Sequence, residues 1–200
     1  MLIDDFLPTY DETVLRHAVV DAPVETTYDS AVTADFTRTG PVVRVLNEIR
    51  GLPSRVSAVL RGDEQPRMTD PLRLADLPDR GTWIELGAAP GEEFVFGSIG
   101  AVWQPDIDWV EVDADEFRSF DRPGYAKIAA SVSVRPYGSG RTLVTYEART
   151  ATTDQESRRR FRRYWRLVGP GAGFLMARAL DRIRADAEDA GRREAVRARG

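Results

Sequence analysis

Residues 152–188 read TTDQESRRRFRRYWRLVGPGAGFLMARALDRIRADAE, and this stretch decides the fold. Its apolar residues recur at spacings of three, four or seven, which is the periodicity of one helix face. The members of this stripe are Phe161, Trp165, Val168, Leu175, Ala179, Ile183 and Ala187. Thr152-Thr153-Asp154 provides residues typical of a helix start, and Gly169-Pro170-Gly171 predicts a kink. The sequence therefore predicts one long amphipathic helix over 154–188.

The residues before this helix favour strands. Alternating or short apolar runs predict strands at 15–20, 82–88, 94–99, 109–112, 125–135 and 142–150. Tyr137-Gly138-Ser139-Gly140 is typical of a hairpin loop. Helical spacing predicts short helices over 24–32, 42–49, 72–77 and 113–120, with an exposed loop over 61–71. This order predicts an α+β chain in which an antiparallel sheet wraps around the last helix and leaves an apolar space beneath it.

Composition excludes several classes of function. The 200 residues fit one domain, with 1–10 as an N-terminal extension and 189–200 as a disordered tail. The chain has no cysteine and one histidine, which excludes thiol nucleophiles and Cys/His zinc sites. We expect no metal and no cofactor. The N-terminus lacks signal-peptide character and no apolar run could span a bilayer, so a cytoplasmic location is expected.

Four local sequence patterns carry a resemblance to a known superfamily. They are Arg16-His17 with Val19-Val20-Asp21-Ala22-Pro23, Gly97-x-x-Gly100-x-x-Trp103, Phe117-x-x-Phe120-x-x-Pro123-Gly124-Tyr125-Ala126-Lys127, and Arg160-Phe161-Arg162-Arg163-Tyr164-Trp165-Arg166-Leu167-Val168-Gly169-Pro170. With the order of elements, they resemble the START-like (SRPBCC) superfamily, in its polyketide cyclase/dehydrase-like branch. The resemblance spans about residues 10 to 188. It implies a helix-grip fold, in which a curved antiparallel sheet wraps around a long C-terminal helix and two short helices follow the first strand.

This resemblance implies a container for a small hydrophobic molecule. Because one such fold hosts lipid carriers, hormone receptors, cyclases and chaperone activators, it does not fix the function. The leading interpretation is non-enzymatic binding of a lipid, polyketide or isoprenoid-like molecule. The alternatives are a cyclase- or dehydratase-like enzyme and a protein-interaction module without a ligand. No catalytic residue is assigned.

Large aromatic side chains are the main candidates for lining a cavity, although each could equally fill a core. The candidates are Trp83, Phe94, Phe96, Trp103, Trp109, Tyr125, Tyr146 and Trp165. Glu147 and Arg149 share one strand face and form a candidate polar pair for orienting a ligand. The alternative places this pair on the solvent face as an ordinary ion pair, with Val144, Tyr146 and Ala148 pointing inward.

Two further features have a functional and a plain interpretation. His17 could act as a general base, but no partner lies at a recognisable spacing, so a structural or surface role is favoured. The arginines of 157–166 could bind nucleic acid or anionic lipid. The net charge of −4 argues against nucleic acid, so none is expected as a partner. Two interpretations of these arginines remain: they contact a membrane surface, or they form the solvent-exposed face of the helix.

Overall fold

The computed structural model describes residues 1–34 and 82–197. In chain order, its elements are α1 (Ile3–Phe6), β1 (Glu12–Val20), α2 (Val24–Thr33), β2 (Ile84–Ala89), β3 (Glu93–Gly100), β4 (Trp109–Val110), α3 (Ala114–Ser119), β5 (Ala126–Pro136), β6 (Thr142–Thr152) and α4 (Gln155–Arg197). All six predicted strands and the helices at α2, α3 and α4 are therefore present. The helices predicted at 42–49 and 72–77 and the loop at 61–71 lie outside the described residues.

The six strands form one antiparallel sheet in the order β1-β6-β5-β3-β2, and β4 pairs with β3. Two hairpins follow the turn chemistry of the sequence. Gly91 adopts a φ of 79° between β2 and β3, and both Gly138 and Gly140 adopt a φ of 69° between β5 and β6. Glycine reaches this left-handed region without the steric cost that a Cβ would add. The hairpin predicted at residues 137–140 is confirmed.

Each face of the sheet is covered by different helices. We call the face that carries Phe96, Val132 and Val144 the helix face, because these residues pack with Leu180 and Ile183 of α4. The opposite side is the back face. Its core includes side chains from α1, α3 and the sheet, among them Ile3, Phe6, Val95, Phe117 and Ala129. Since successive strand residues alternate between faces, sheet positions can be assigned to one of these two layers, except at the irregularity between Glu85 and Gly87 of β2.

Helix α4 begins where the sequence predicts. The carboxylate of Asp154 accepts hydrogen bonds from the Ser157 amide at 2.9 Å, the Ser157 hydroxyl at 2.5 Å and the Gly124 amide at 2.7 Å. These bonds, chiefly those from Ser157, lower the pKa of Asp154 to about 2. The helix continues through Pro170 and beyond residue 188 to Arg197.

The predicted apolar stripe of α4 lies largely where expected. Phe161, Ala179, Ile183 and Ala187 are buried. The remaining members, Trp165, Val168 and Leu175, are half-buried. The structure therefore has the α+β helix-grip arrangement, with a curled antiparallel sheet against a long C-terminal helix. Within the described parts of the chain, no helix is long and apolar enough to cross a membrane.

Residues 1–10, predicted as an extension, contribute to the back-face core. Ile3, Phe6 and Leu7 are buried there. The carboxylate of Glu93 accepts hydrogen bonds from the amides of Leu2 at 2.7 Å and Ile3 at 3.3 Å, which satisfies donors at the start of α1. The segment is thus held by apolar burial and by polar contacts together.

Candidate ligand-binding site

A cluster of four aromatic rings lines the helix face. Phe96 is its centre, with ring centroids 5.5 Å from Trp83, 6.1 Å from Phe94 and 6.4 Å from Tyr146. Phe94 and Phe96 are two apart on β3, so alternation places them on the same face. Tyr146 reaches them from β6 across β5, where it pairs with Val132. The rings form one continuous apolar wall across three strands and the residue before β2.

Part of the helix face is not closed by the layer above it. Ala148 lies on β6 with strands on both sides, opposite Ala130 of β5 and Val14 of β1. Ala130 is buried at 3% exposure, whereas Ala148 and the nearby Ala18 keep partly accessible surface. An alanine on an interior strand keeps such surface only where the covering side chains do not touch it. The helix face is therefore partly accessible at Ala18, Ala148 and Tyr146, and the Arg16 side chain, opposite Tyr146 on β1, lies against Gly173 of α4.

The Tyr146 hydroxyl lies in this apolar region. Burial raises the pKa of Tyr146 to about 12, so the phenol stays neutral across the physiological pH range. Within residues 1–34 and 82–197 no hydrogen bond to this hydroxyl is present. A phenol in such a place can donate a hydrogen bond to an oxygen of a bound molecule or accept one from it.

We expect this pKa shift to make folding sensitive to alkaline pH. Below pH 10 both the folded and unfolded states hold the phenol proton, so the group has no effect. As pH rises from 10 towards 12 the unfolded state loses the proton first, and stability falls by about 2–3 kcal/mol in total. Urea unfolding at increasing pH should show this loss in the wild type and not in Tyr146→Phe. Equal losses in both proteins would contradict the assignment.

Two open clefts flank the aromatic cluster. The first, of about 270 Å³, is lined by Thr82, Trp83, Ile84, Ser98, Val110, Glu111 and Val112. The second, of about 440 Å³, is lined by Val24, Glu25, Tyr28, Asp29, Pro90 and Gly91. Trp83 belongs both to the first cleft and to the aromatic cluster. The first volume is slightly below the range of small-molecule sites and the second lies near its lower end. Neither cleft is lined by Ala18, Ala148 or Tyr146.

The other aromatic candidates lie away from this cluster. Trp103, Trp109 and Trp165 pack together with Phe161 near the start of α4. The indole Nε1 of Trp103 is buried there and has no hydrogen-bond partner among the residues that the structure describes. Tyr125 packs with the back-face core, and its hydroxyl donates to Asp108 at 2.5 Å. The candidate set therefore divides into a helix-face wall, a second cluster and one residue on the back face.

Glu147 and Arg149 point to the back face and do not line the space beneath α4. Arg149 Nε lies 2.6 Å from Glu147 Oε1, and Arg149 Nη1 lies 2.7 Å from Asp4 Oδ1. The same Nη1 donates to the Leu7 carbonyl at 3.1 Å. The two residues form an ion pair on the face away from α4, as the second interpretation predicted. That interpretation placed the pair in solvent, whereas in the structure α1 covers it and both residues are buried.

The remaining candidates show little that indicates chemistry. His17 is exposed on the back face, with Nδ1 2.9 Å from the Thr145 hydroxyl. In the described ranges, no group of three or more His, Cys, Asp or Glu side chains is placed to hold a metal ion. One of the two interpretations of β6 predicted that Ala148 points inward, but neither Ala148 nor Ala18 was among the candidate ligand-binding residues.

No protein-family model matches the chain, and no curated protein is significantly similar to it. Among solved structures, the chain is similar to protein CV1439 from Chromobacterium violaceum, with a TM-score of 0.41, 12% identity and coverage of 88% of this chain and 96% of that one. It is also similar to a conserved protein from Geobacillus kaustophilus, with a TM-score of 0.40, 9% identity and coverage of 90% and 97%. A third is CalU16 from Micromonospora echinospora, with a TM-score of 0.29, 13% identity and coverage of 90% and 85%. Likenesses of this size identify neither a family nor an activity.

Proposed function

We propose that this chain is a START-like protein that binds a small, mostly apolar molecule between the helix face of its sheet and α4. The observation that carries the proposal is the contrast between Ala148 and Ala130. They are direct neighbours on the same face, yet one is accessible and the other is buried. A lipid, a polyketide or an isoprenoid-like molecule has the apolar surface that the adjoining aromatic wall would bury.

The energetics favour an apolar ligand with one or two polar atoms. Burial of apolar surface contributes about 25 cal/mol per Å², offset by the entropy lost on binding. Trp83, Tyr146 and Ala148 keep partly accessible apolar surface, beside Phe94 and Phe96, which are only 5% and 3% exposed. The neutral Tyr146 hydroxyl offers one hydrogen bond at the edge of the wall. A charged ligand group there would lose its hydration, and Glu147 and Arg149 face the other way. Arg16, opposite Tyr146 on β1, is a cation on this side of the sheet that could pair with an acidic group of a ligand.

Binding without chemistry fits this arrangement better than catalysis. An enzyme of the cyclase or dehydratase kind would need two or more ionisable groups that converge on the reactive chain. Tyr146 is the ionisable member of the aromatic cluster, and the pH range of its titration lies far from neutrality. Arg16, opposite it on β1, adds a cation but no general base. The buried Glu147–Arg149 pair is on the opposite side of the sheet.

A space-filling substitution tests the site directly. We expect Ala148→Phe to fold with stability within about 1 kcal/mol of wild type, because the new ring enters existing space. The matched variant Ala130→Phe has no such space and should lose about 1–3 kcal/mol or more. Urea unfolding measures both changes. A large loss in Ala148→Phe would show that the space is absent and would contradict the proposal.

Ligand binding is measured with the same variant. N-phenyl-1-naphthylamine, an uncharged apolar fluorescent probe, should bind the wild type, and Ala148→Phe should weaken this binding about tenfold or more by occupying the site. Native mass spectrometry of freshly purified wild type should also show a retained small-molecule adduct that Ala148→Phe lacks. Failure of the probe to bind, with no adduct, would favour an interaction module without a ligand.

A further inference from the structure

The outward side of α4 carries an unusual concentration of positive charge. From Ser157 to Leu180 the sequence contains seven arginines and no aspartate or glutamate. This stretch therefore has a formal charge of +7 within a chain whose net charge is −4. The arginines are Arg158, Arg159, Arg160, Arg162, Arg163, Arg166 and Arg178. Helix–sheet packing accounts for the buried stripe of α4 but not for this charge.

Large apolar side chains are exposed among these arginines. Leu167 is 82% exposed and Phe174 is 42% exposed. They lie seven residues apart, which places them on the same helix face, with the exposed Pro170 between them. We call Arg163, Arg166, Leu167, Pro170 and Phe174 the outer face of α4. It has an apolar centre with two cations on its N-terminal side.

Three of the arginines lack an acidic partner within the chain as described. Arg158 pairs with Asp11, and Arg159 and Arg160 both lie near Glu156. Arg178 pairs with Asp181. By contrast, Arg162, Arg163 and Arg166 are exposed and make no ion pair with any residue in 1–34 or 82–197. Their guanidinium groups are available to an external anion.

We propose that the outer face of α4 docks on an anionic lipid bilayer. A bilayer with negative headgroups meets both features at once, because the arginines contact phosphate while Leu167 and Phe174 enter the headgroup–acyl boundary. A nucleic-acid backbone would match the charge but leave the two apolar side chains exposed to water. The inference goes beyond ligand binding, since it states where an apolar ligand would be collected or delivered.

The expected interaction is reversible and sensitive to salt. Two inserted side chains bury a modest apolar area, so the arginines supply a large part of the attraction. Each arginine near an anionic surface contributes about fivefold to partitioning, and this contribution is screened within roughly 10 Å at moderate ionic strength. The chain should therefore leave the surface when salt is raised.

Vesicle sedimentation of the full chain provides the test. We expect binding at low salt to vesicles that contain phosphatidylglycerol and no binding to phosphatidylcholine alone. The double variant Arg163→Gln/Arg166→Gln should lower the partition coefficient roughly thirtyfold, and Leu167→Ser/Phe174→Ser should lower it about tenfold. All substituted side chains are exposed, and thermal unfolding confirms that each variant is folded.

Matched controls lie farther along the same helix. Arg193→Gln/Arg197→Gln changes the net charge by the same amount about 45 Å from Arg163, and Val196→Ser removes an apolar side chain that is 73% exposed. Neither should change partitioning more than about twofold.

Equal losses in the control would overturn the proposal, as would binding to phosphatidylcholine alone or no vesicle binding. Tighter binding to a DNA or RNA duplex, unchanged in Leu167→Ser/Phe174→Ser, would assign the face to nucleic acid instead. If the arginine variant loses vesicle binding but still binds the fluorescent probe, the bilayer-docking face and the ligand site are separate.

Discussion

Replacing Arg149 with methionine is expected to lower the free energy of unfolding by about 3–5 kcal/mol. The guanidinium contacts Glu147 at 2.6 Å, Asp4 at 2.7 Å and the Leu7 carbonyl at 3.1 Å. It also lies over the Tyr10 ring, 4.8 Å from its centroid. Removing it would leave a buried carboxylate on Glu147 without its partner, which costs more than the ion pair itself contributes.

Urea unfolding measures this loss, and two variants show its cause. Glu147→Leu/Arg149→Met removes both charges and should recover most of the stability, since an apolar pair of similar volume is tolerated at such a site. Arg178→Met removes a surface pair whose side chains are 51% and 63% exposed, and should change stability by about 0.5 kcal/mol at most. A loss below about 1 kcal/mol in Arg149→Met would show that the contact contributes little.

Replacing Phe161 with alanine is expected to cost about 3–5 kcal/mol. Phe161 is 1% exposed and stacks on Trp165 at a centroid distance of 5.4 Å, and it packs with Val102 and Ala126. The substitution removes buried apolar surface and leaves a cavity between α4 and the sheet, which adds to the loss.

Phe174→Ala is the matched control for this prediction. Phe174 lies on the same helix but on its outer face, so the same chemical change should alter stability by about 0.5 kcal/mol or less. Thermal or urea unfolding of the two variants compares them directly. Similar losses in both would mean that the N-terminal half of α4 is not fixed to the sheet by Phe161.

The helix and the strands were predictable because they depend on local periodicity. The stripe through Phe161 and Ile183 defined α4, and the alternation through Val132 and Val144 assigned β5 and β6. Phe94 and Phe96 could be assigned to one wall for the same reason, since two residues on a strand share a face. Turn chemistry at Gly138 and Gly140 located the hairpin.

The covering of the back face and the space beneath α4 were not predictable in the same way. Helix α1 has four residues, too few for a periodic signal, so the sequence did not show that it would bury Glu147 and Arg149. The space beside Ala148 depends on which side chains fail to reach it from the helix above. That is a property of three-dimensional packing, and no residue pattern along the chain records it.

The pairing of β1 with β6 has a consequence for how the chain is made. Glu12 of β1 lies opposite Thr150 of β6, so β1 gains its partner strand only after β2 to β5 have been synthesised. Closing so large a loop carries an entropic cost and tends to slow folding. Until β6 is synthesised, the apolar residues of β1 have no sheet to join, and this stage is where a nascent chain would depend most on a chaperone.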